Sequence, residues 1–375
     1  RYFGVAFPLW YCKKCNEPIL ADEKQLPVDP LKDNPLKKEC PSCKSKEFIP
    51  ETDVLNTWFT SSMTPQIAIQ LMDKNLQKEI FPMSLRPQAH DIITFWLFNT
   101  LIKSRLHFNK NPWKETVISG FVTKDKEKMS KSKGNVIEPQ SVMSQYGADA
   151  LRFWAAGSKL GEDLDYQEKD ILSGKKFVTK ILNATNFVFM NLDYQNKQPK
   201  LCETDRLFLS QLNDIIEEAT DGFEEYNYAR AKNTTEKFFW QTFADNYLEI
   251  VKRRVYNGTL EEKASAYYTL YNSLLSILKI MAPITPYITE EIYQTHFAKN
   301  EKHKSIHQES WPTKIKIKED EEDEKTWNKF IEIINFVRQK KSEAKKSVKA
   351  EIILSIPKED HDLIKELIED LKGVL

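Results

Sequence analysis

Two short cysteine turns constrain the start of this chain more tightly than any other feature. Cys12-Lys-Lys-Cys15 and Cys40-Pro-Ser-Cys43 stand 24 residues apart. A CxxC turn can put two thiolates on one ion, and two such turns close a tetrahedral site of four sulfur ligands. Four protein ligands leave no open coordination position, so the zinc expected here is structural and folds a segment too polar to fold by itself. Four unrelated buried thiols, or a redox pair, fit less well, because no βαβ surround follows either turn. Pro27, Pro30 and Pro35 stiffen the linker between them.

At 375 residues the chain is long enough for two or three domains with real cores. Lys+Arg and Asp+Glu are both 55, so no bulk positive field holds a polyanion, and nucleic-acid binding would have to come from local patches. The best apolar run, Leu274 to Ile284, is broken by Lys279, so no membrane span is expected. Cysteines in metal-like pairs suit a reducing compartment, with the cytoplasm the default. The opening at Arg1 inside an aromatic-rich run reads as a cut chain or a partial gene.

Downstream, Leu85 to Ile93 reads as a short strand entering a helix, with Ile93, Trp96, Leu97, Thr100 and Leu101 at the spacing of a buried face. Val117 to Val122 is a second strand candidate. The stretch Lys128-Met129-Ser130-Lys131-Ser132-Lys133-Gly134-Asn135 follows. Lysine ammoniums and small-residue N–H groups can surround an anion, and Gly134 permits a sharp turn. Strand, helix, strand and then a cationic loop is the grammar of an open parallel sheet that binds ligands at the carboxyl ends of its strands. As composition alone, the lysine loop also fits a solvated turn.

From Asp170 the pattern is almost continuously helical, with four successive apolar faces that predict a bundle of four or five helices. The acidic run Lys318 to Glu324 reads as a solvated linker. Beyond it, Arg338, Lys341, Lys345 and Lys349 recur at helical spacing, as either a solvated face or a stripe for an RNA backbone. Alternation in Glu351 to Ser355 and Ile356 predicts a strand, and Asp362 to Leu371 a last helix.

The strings DVLNTWFTSS, RPQAHDII, KMSKSKGNVIEP and YGADALRFW, in this order, resemble the valyl-tRNA synthetase family of class I, closest in style to its archaeal and eukaryotic type. An isoleucyl-type relative is the alternative, but that relative carries Asp where this chain has Thr60. The resemblance implies ATP-dependent ligation of valine to tRNA through valyl-adenylate, with Mg2+ accompanying the nucleotide. It places Trp58, Ile92 and Trp96 at the valine pocket, and His90 and Asp91 beside the adenylate. Lys128, Met129, Ser130, Lys131 and Ser132 become the ATP loop, with Lys128 and Lys131 neutralising the departing pyrophosphate. Asn56, Ala89 and Thr94 stand where the family usually has Asp, Gly and Arg. Asn246 to Glu249 and Ala282 to Glu291 match the family's anticodon-binding bundle, which makes Lys252, Arg253 and Arg254 candidates for the tRNA backbone.

The family also uses a HIGH-type histidine pair, and none of the six histidines here stands in such a string. The resemblance therefore implies an N-terminal half carrying that motif and an editing domain as partner. A non-catalytic tRNA-binding fragment is the competing function. The implied fold is α/β plus all-α. A zinc module at 1–50 precedes the second half of a Rossmann-like parallel-sheet core at 51–165. A helical anticodon-binding bundle follows at 166–315, then a helix and small α/β appendage at 325–375.

Overall fold

A computed structural model describes residues 4–191, 197–347 and 350–375. The chain forms two compact units, Arg1–Gly120 and Phe121–Leu375. The division falls well before residue 165, so the lysine loop travels with the helical bundle and not with the sheet that precedes it in sequence.

In the first unit, strands Leu9–Cys12, Pro18–Leu20 and Phe48–Pro50 form an antiparallel sheet with Leu9–Cys12 in the middle. Trp10 fills its small core with Ile19, Cys12 and Cys40. The buried indole N–H is satisfied by the carbonyls of Pro30 and Asp33, each at 3.2 Å, so the proline-rich linker is held against the sheet.

A parallel pair is present, although its second strand is Trp113–Ser119 and not the expected Val117–Val122, whose last residue opens a separate strand. Met83–Ala89 runs beside Trp113–Ser119 with Met83 opposite Trp113 and Ala89 opposite Ser119. The crossover comprises a tight turn at His90–Ile92, a π-helical turn at Ile93–Leu97 and the helix Phe98–Phe108, which stops at left-handed Asn109 (φ 53°). Of the expected face, Trp96 and Thr100 are buried, Leu97 and Leu101 half-buried, and Ile93 exposed. Trp96, Thr100, Lys103 and Ser104 are inside, while Ile93, Phe95, Phe98, Ile102 and Leu106 are exposed. Polar groups can lie inward because each finds a partner: Thr100 donates to the Trp96 carbonyl, Ser104 to the Lys110 carbonyl, and Lys103 to Ser62 Oγ and the Phe59 carbonyl.

The second unit begins with a hairpin, Val122–Lys124 against Glu127–Lys128. Asp125 and Lys126 both take positive φ (55° and 63°), the conformation that a two-residue turn of the right twist demands. Leu164–Asp165 adds a parallel strand to it. Helices Pro139–Tyr146 and Ala148–Ala155 then pack Val142, Ala150 and Trp154 on Ile171.

The bundle is built from the long helices Glu168–Asn191, Glu203–Glu224, Leu260–Met281 and Asp323–Glu343, with Tyr228–Lys237 and Pro286–His296 between them. Three expectations for its end need correction. The strand expected for an α/β appendage is not found among the described residues: residues 350–357 form none, and their alternation sets Leu354 and Ile356 against the bundle while Ile353 stays fully exposed. Nor is 325–375 a separate domain, because Trp327, Phe330, Ile334, Ile364, Leu367 and Leu371 share one continuous core with Phe208 and Tyr247. The acidic run also does not end as a solvated linker. Asp323 is buried and takes both Arg206 Nη atoms, at 2.6 Å each.

No helix among the described residues is long and apolar enough to cross a membrane.

Candidate functional site

The cysteine cluster has the geometry the spacing predicts. The four Sγ atoms of Cys12, Cys15, Cys40 and Cys43 all lie within 4.8 Å of one another. Zinc–sulfur bonds of about 2.3 Å in a tetrahedron set sulfurs about 3.8 Å apart, and the closest pairs here are 3.4 Å and 3.6 Å. Both turns are made in the same way. Asn16 (φ 59°) and Lys44 (φ 62°) follow the second cysteine of each pair in left-handed conformation, and each donates its N–H to the carbonyl of the first cysteine. Burial disfavours the Cys12 thiolate, but the N–H groups of Cys15 and Lys14, with the Cys43 and Cys15 thiols, together outweigh it and bring the thiol down to about 6. These four residues fit a structural zinc ion.

The lysine stretch is a turn pinned at both ends. Asp165 accepts from Thr123 Oγ1 at 2.8 Å and from the Lys126 N–H at 2.9 Å, which holds its carboxyl below the usual range, the Lys126 N–H first among the causes. Asp163 accepts from the Phe121 N–H at 2.7 Å. Asn135 bridges the turn, accepting from the Ser130 N–H and donating to the Lys128 carbonyl. Ser130 Oγ caps the short helix Lys131–Lys133, and Gly134 closes it at φ 66°. The lysines are then sorted by their surroundings. Lys128 Nζ lies 3.7 Å over the Phe121 ring, and Lys133 pairs with Glu127 at 3.1 Å. Exposed Lys131 has no acceptor among the described residues. Ser132 shares a hydroxyl contact with Ser130, and Met129 is half-buried. Sequence reasoning missed Asp163, Asp165 and Glu127, whose partners are far along the chain or across the turn.

In the first unit, His90 and Asp91 are exposed at the carboxyl end of strand Met83–Ala89, and Ile92 is half-buried beside them. Trp58 is half-buried and stacks on Phe95 at 6.2 Å. Trp96 is deeper. It stacks on Trp113 at 5.4 Å, has the Arg86 guanidinium 4.0 Å above its ring, and donates its N–H to the Ser61 carbonyl at 3.0 Å. Two departures are locally accommodated. Asn56 caps the helix Thr57–Ser61 by accepting from the Trp58 N–H, as Asp would. Ala89 is extended (φ −83°), so its Cβ meets no backbone strain. Thr94 is exposed.

The cationic candidates of the bundle separate sharply. Arg254 cannot touch a phosphate: it is 1% exposed, bonded through both Nη atoms to Asp205 at 2.5 and 2.6 Å and through Nε to Asp370 at 3.0 Å. Arg253 pairs with Glu262 and Asp370, and Lys252 with Glu249 at 2.7 Å. The stripe at 338–349 also dissolves. Lys341 follows Phe330, Ile334 and Val337 on the buried face of its helix and is 5% exposed, donating to the Leu375 carbonyl. Arg338 is half-buried and donates to Asn246 Oδ1 at 2.8 Å. Lys345 is exposed, and Lys349 lies outside the described residues.

Residues 1–167 match the family described as tRNA synthetases class I (I, L, M and V), and residues 205–356 match the anticodon-binding domain of tRNA ligase. Along its whole length the chain is 41% identical to the valine–tRNA ligase of Rickettsia felis and 40% identical to that of Orientia tsutsugamushi. It covers 45% and 47% of those two proteins, so it spans about half the length of these curated relatives. In fold it is similar to the Agrobacterium radiobacter K84 agnB2 LeuRS, solved as a ternary complex with tRNA and LeuAMS. The TM-score is 0.62 at 20% identity, covering 84% of this chain and 41% of that one.

Proposed function

We propose that this chain, homologous from end to end to valine–tRNA ligases, performs its share of the ATP-dependent ligation of valine to tRNA. Valine activation is attack of a carboxylate on the α-phosphorus of ATP, with pyrophosphate leaving. Catalysis of such a step rests on positioning and on neutralising charge that builds on the leaving group. The observation that carries the reading is the sorting of the lysine turn. Its frame is fixed by Asp165 and Asn135 and two of its cations are engaged, while the Lys131 ammonium has no acceptor among the described residues. ATP with Mg2+ and valine are the substrates of this reading. His90, Asp91, Trp58 and Ile92 would contribute to binding them, Trp96 would support that region from within, and Lys128 would act beside Lys131.

The bundle then holds the anticodon arm, with Lys252 and Lys345 the expected backbone contacts. A further half carrying HIGH-type histidines and an editing domain completes the site. The exposed apolar side chains Phe95, Phe98, Ile102 and Leu106, at helical spacing along the crossover, support a covering partner there, since clustered exposed apolar groups mark interaction surfaces. The compartment that suits this chemistry and the thiol cluster is the cytoplasm.

The test is Lys131→Ala in a ligase that includes these residues. Valine-dependent ATP–pyrophosphate exchange should fall at least ~100-fold, with an unchanged melting temperature because the side chain is exposed and unpaired. Exchange close to the parent rate rejects the assignment.

A further inference from the structure

The matched anticodon-binding region contains a cleft that the lysine and arginine candidates did not point to. It has a volume of about 510 Å³ and lies between the π-helical segment Phe238–Tyr247 and the helix Asp323–Glu343. Its lining is made chiefly of uncharged hydrogen-bonding side chains: Gln211, Gln241, Thr242, Asn328 and Asn335, joined by Arg338. None of the five uncharged side chains has a hydrogen-bond partner among the described residues. Arg338 is different, because Nη1 is committed to the Asp245 carbonyl and to Asn246 Oδ1. Among the described residues its Nε and Nη2 have no acceptor, on a guanidinium held in place by the other bonds.

Charge narrows what such a cleft can hold. The carboxylate at its rim, Asp245, is paired with Lys180 at 3.3 Å, so Arg338 brings the one uncompensated charge and the rest of the lining is neutral. Amide groups offer both donors and acceptors, which matches the mixed edge of a nucleobase and not an anion. A planar guanidinium provides in addition a surface on which an unstacked base can lie. The wall is also unusual. Ten consecutive residues wound as a π-helix are rare, and such wide turns concentrate at functional sites.

We propose that this cleft takes one unstacked nucleobase from the anticodon arm of tRNA, read by Gln241 and Asn335 through its hydrogen-bonding edge with Arg338 alongside. The proposal rests on the anticodon-binding reading above and names its base readers.

The experiment measures binding of the full chain to anticodon stem-loop RNAs in which each loop position carries each of the four bases in turn. For the parent chain, affinity should depend on the base at one loop position by about tenfold or more. In the Gln241→Ala, Asn335→Ala chain that dependence should shrink to about twofold, while discrimination at other positions persists. Both residues are exposed, so the melting temperature should not move, and a melt run in parallel checks this. Equal weakening toward every RNA would mean a backbone contact and overturns the proposal. So does an unchanged binding profile, or a loss that tracks 2′-deoxy substitution in the stem instead of base identity. A parent chain that binds none of the RNAs overturns the anticodon reading itself, which is a separable result.

Discussion

Removing the Arg254 guanidinium decides between the two roles that its position in sequence permits. In Arg254→Ala, Asp205 (0% side-chain exposure) loses a bidentate partner and Asp370 (6%) loses one of its two arginines. Asp205 keeps hydroxyl donors from Tyr247 and Ser265, but these carry no charge. Breaking a buried ion pair from one side costs about 3–5 kcal/mol. A kcal/mol shifts the melting temperature of a unit this size by about 2–4 °C, so a fall of roughly 6–20 °C is expected. Calorimetry or far-UV circular dichroism of the intact chain reads it. Arg254→Met with Asp205→Asn should recover part of the loss, because it removes the stranded charge along with its partner. A surface phosphate contact would do the opposite, leaving the melt alone and lowering the salt slope of tRNA binding by about 0.7. If the single variant melts within about 1 °C of the parent and only its salt slope changes, the buried-network account is wrong.

Other outcomes follow from the same geometry. Purified chain should hold about one zinc ion, and chelation should unfold residues 9–50 selectively, read as loss of amide protection in the Trp10 sheet. Asp165 is held below the ordinary carboxylate range, so its contribution is complete above an unfolded value of about 3.9 and is lost as pH falls through the lower folded value. Protection of the Lys126 amide should therefore vanish only in acid below the usual Asp range; protection lost already near neutrality would refute the clamp. Asp149→Ala removes the carboxylate that accepts from the Tyr287 and Ile288 N–H groups at 3.2 and 2.7 Å. It should cost about 0.5–2 kcal/mol in denaturant melts.

What could be read from the sequence was whatever short-range chemistry dictates. CxxC spacing fixes which sulfurs can meet, and the structure gathers all four. The parallel strands around the crossover and the helical periodicity after residue 168 were visible for the same reason. The failures share a cause. Lys341 and Arg254 look like surface cations because charge usually is exposed, while distant residues, Leu375, Asp205 and Asp370, supply partners that let them go inside. Helix Phe98–Phe108 also takes Lys103 and Ser104 inside, beyond the face its spacing marked, because Ser62 and the Phe59 and Lys110 carbonyls wait there. Alternation at 351–356 is necessary for a half-buried strand but not sufficient, since a strand also needs a neighbour to pair with. The clamp on the lysine turn was invisible because Asp165 lies 39 residues from Lys126.

One short helix joins the lysine hairpin's neighbourhood to the bundle. From Ala148–Ala155, Asp149 takes the first amides of helix Pro286–His296, while Arg152 takes the carbonyls of Pro283 and Ile284 just beyond the helix Leu260–Met281. An anion and a cation from a single turn of backbone thus rivet both sides of the elbow between two bundle helices. Rivets placed on either flank of a joint leave it no axis to pivot about. A shift of those two helices would be felt first at Ala148–Ala155, which packs beside the helix that follows the cationic turn.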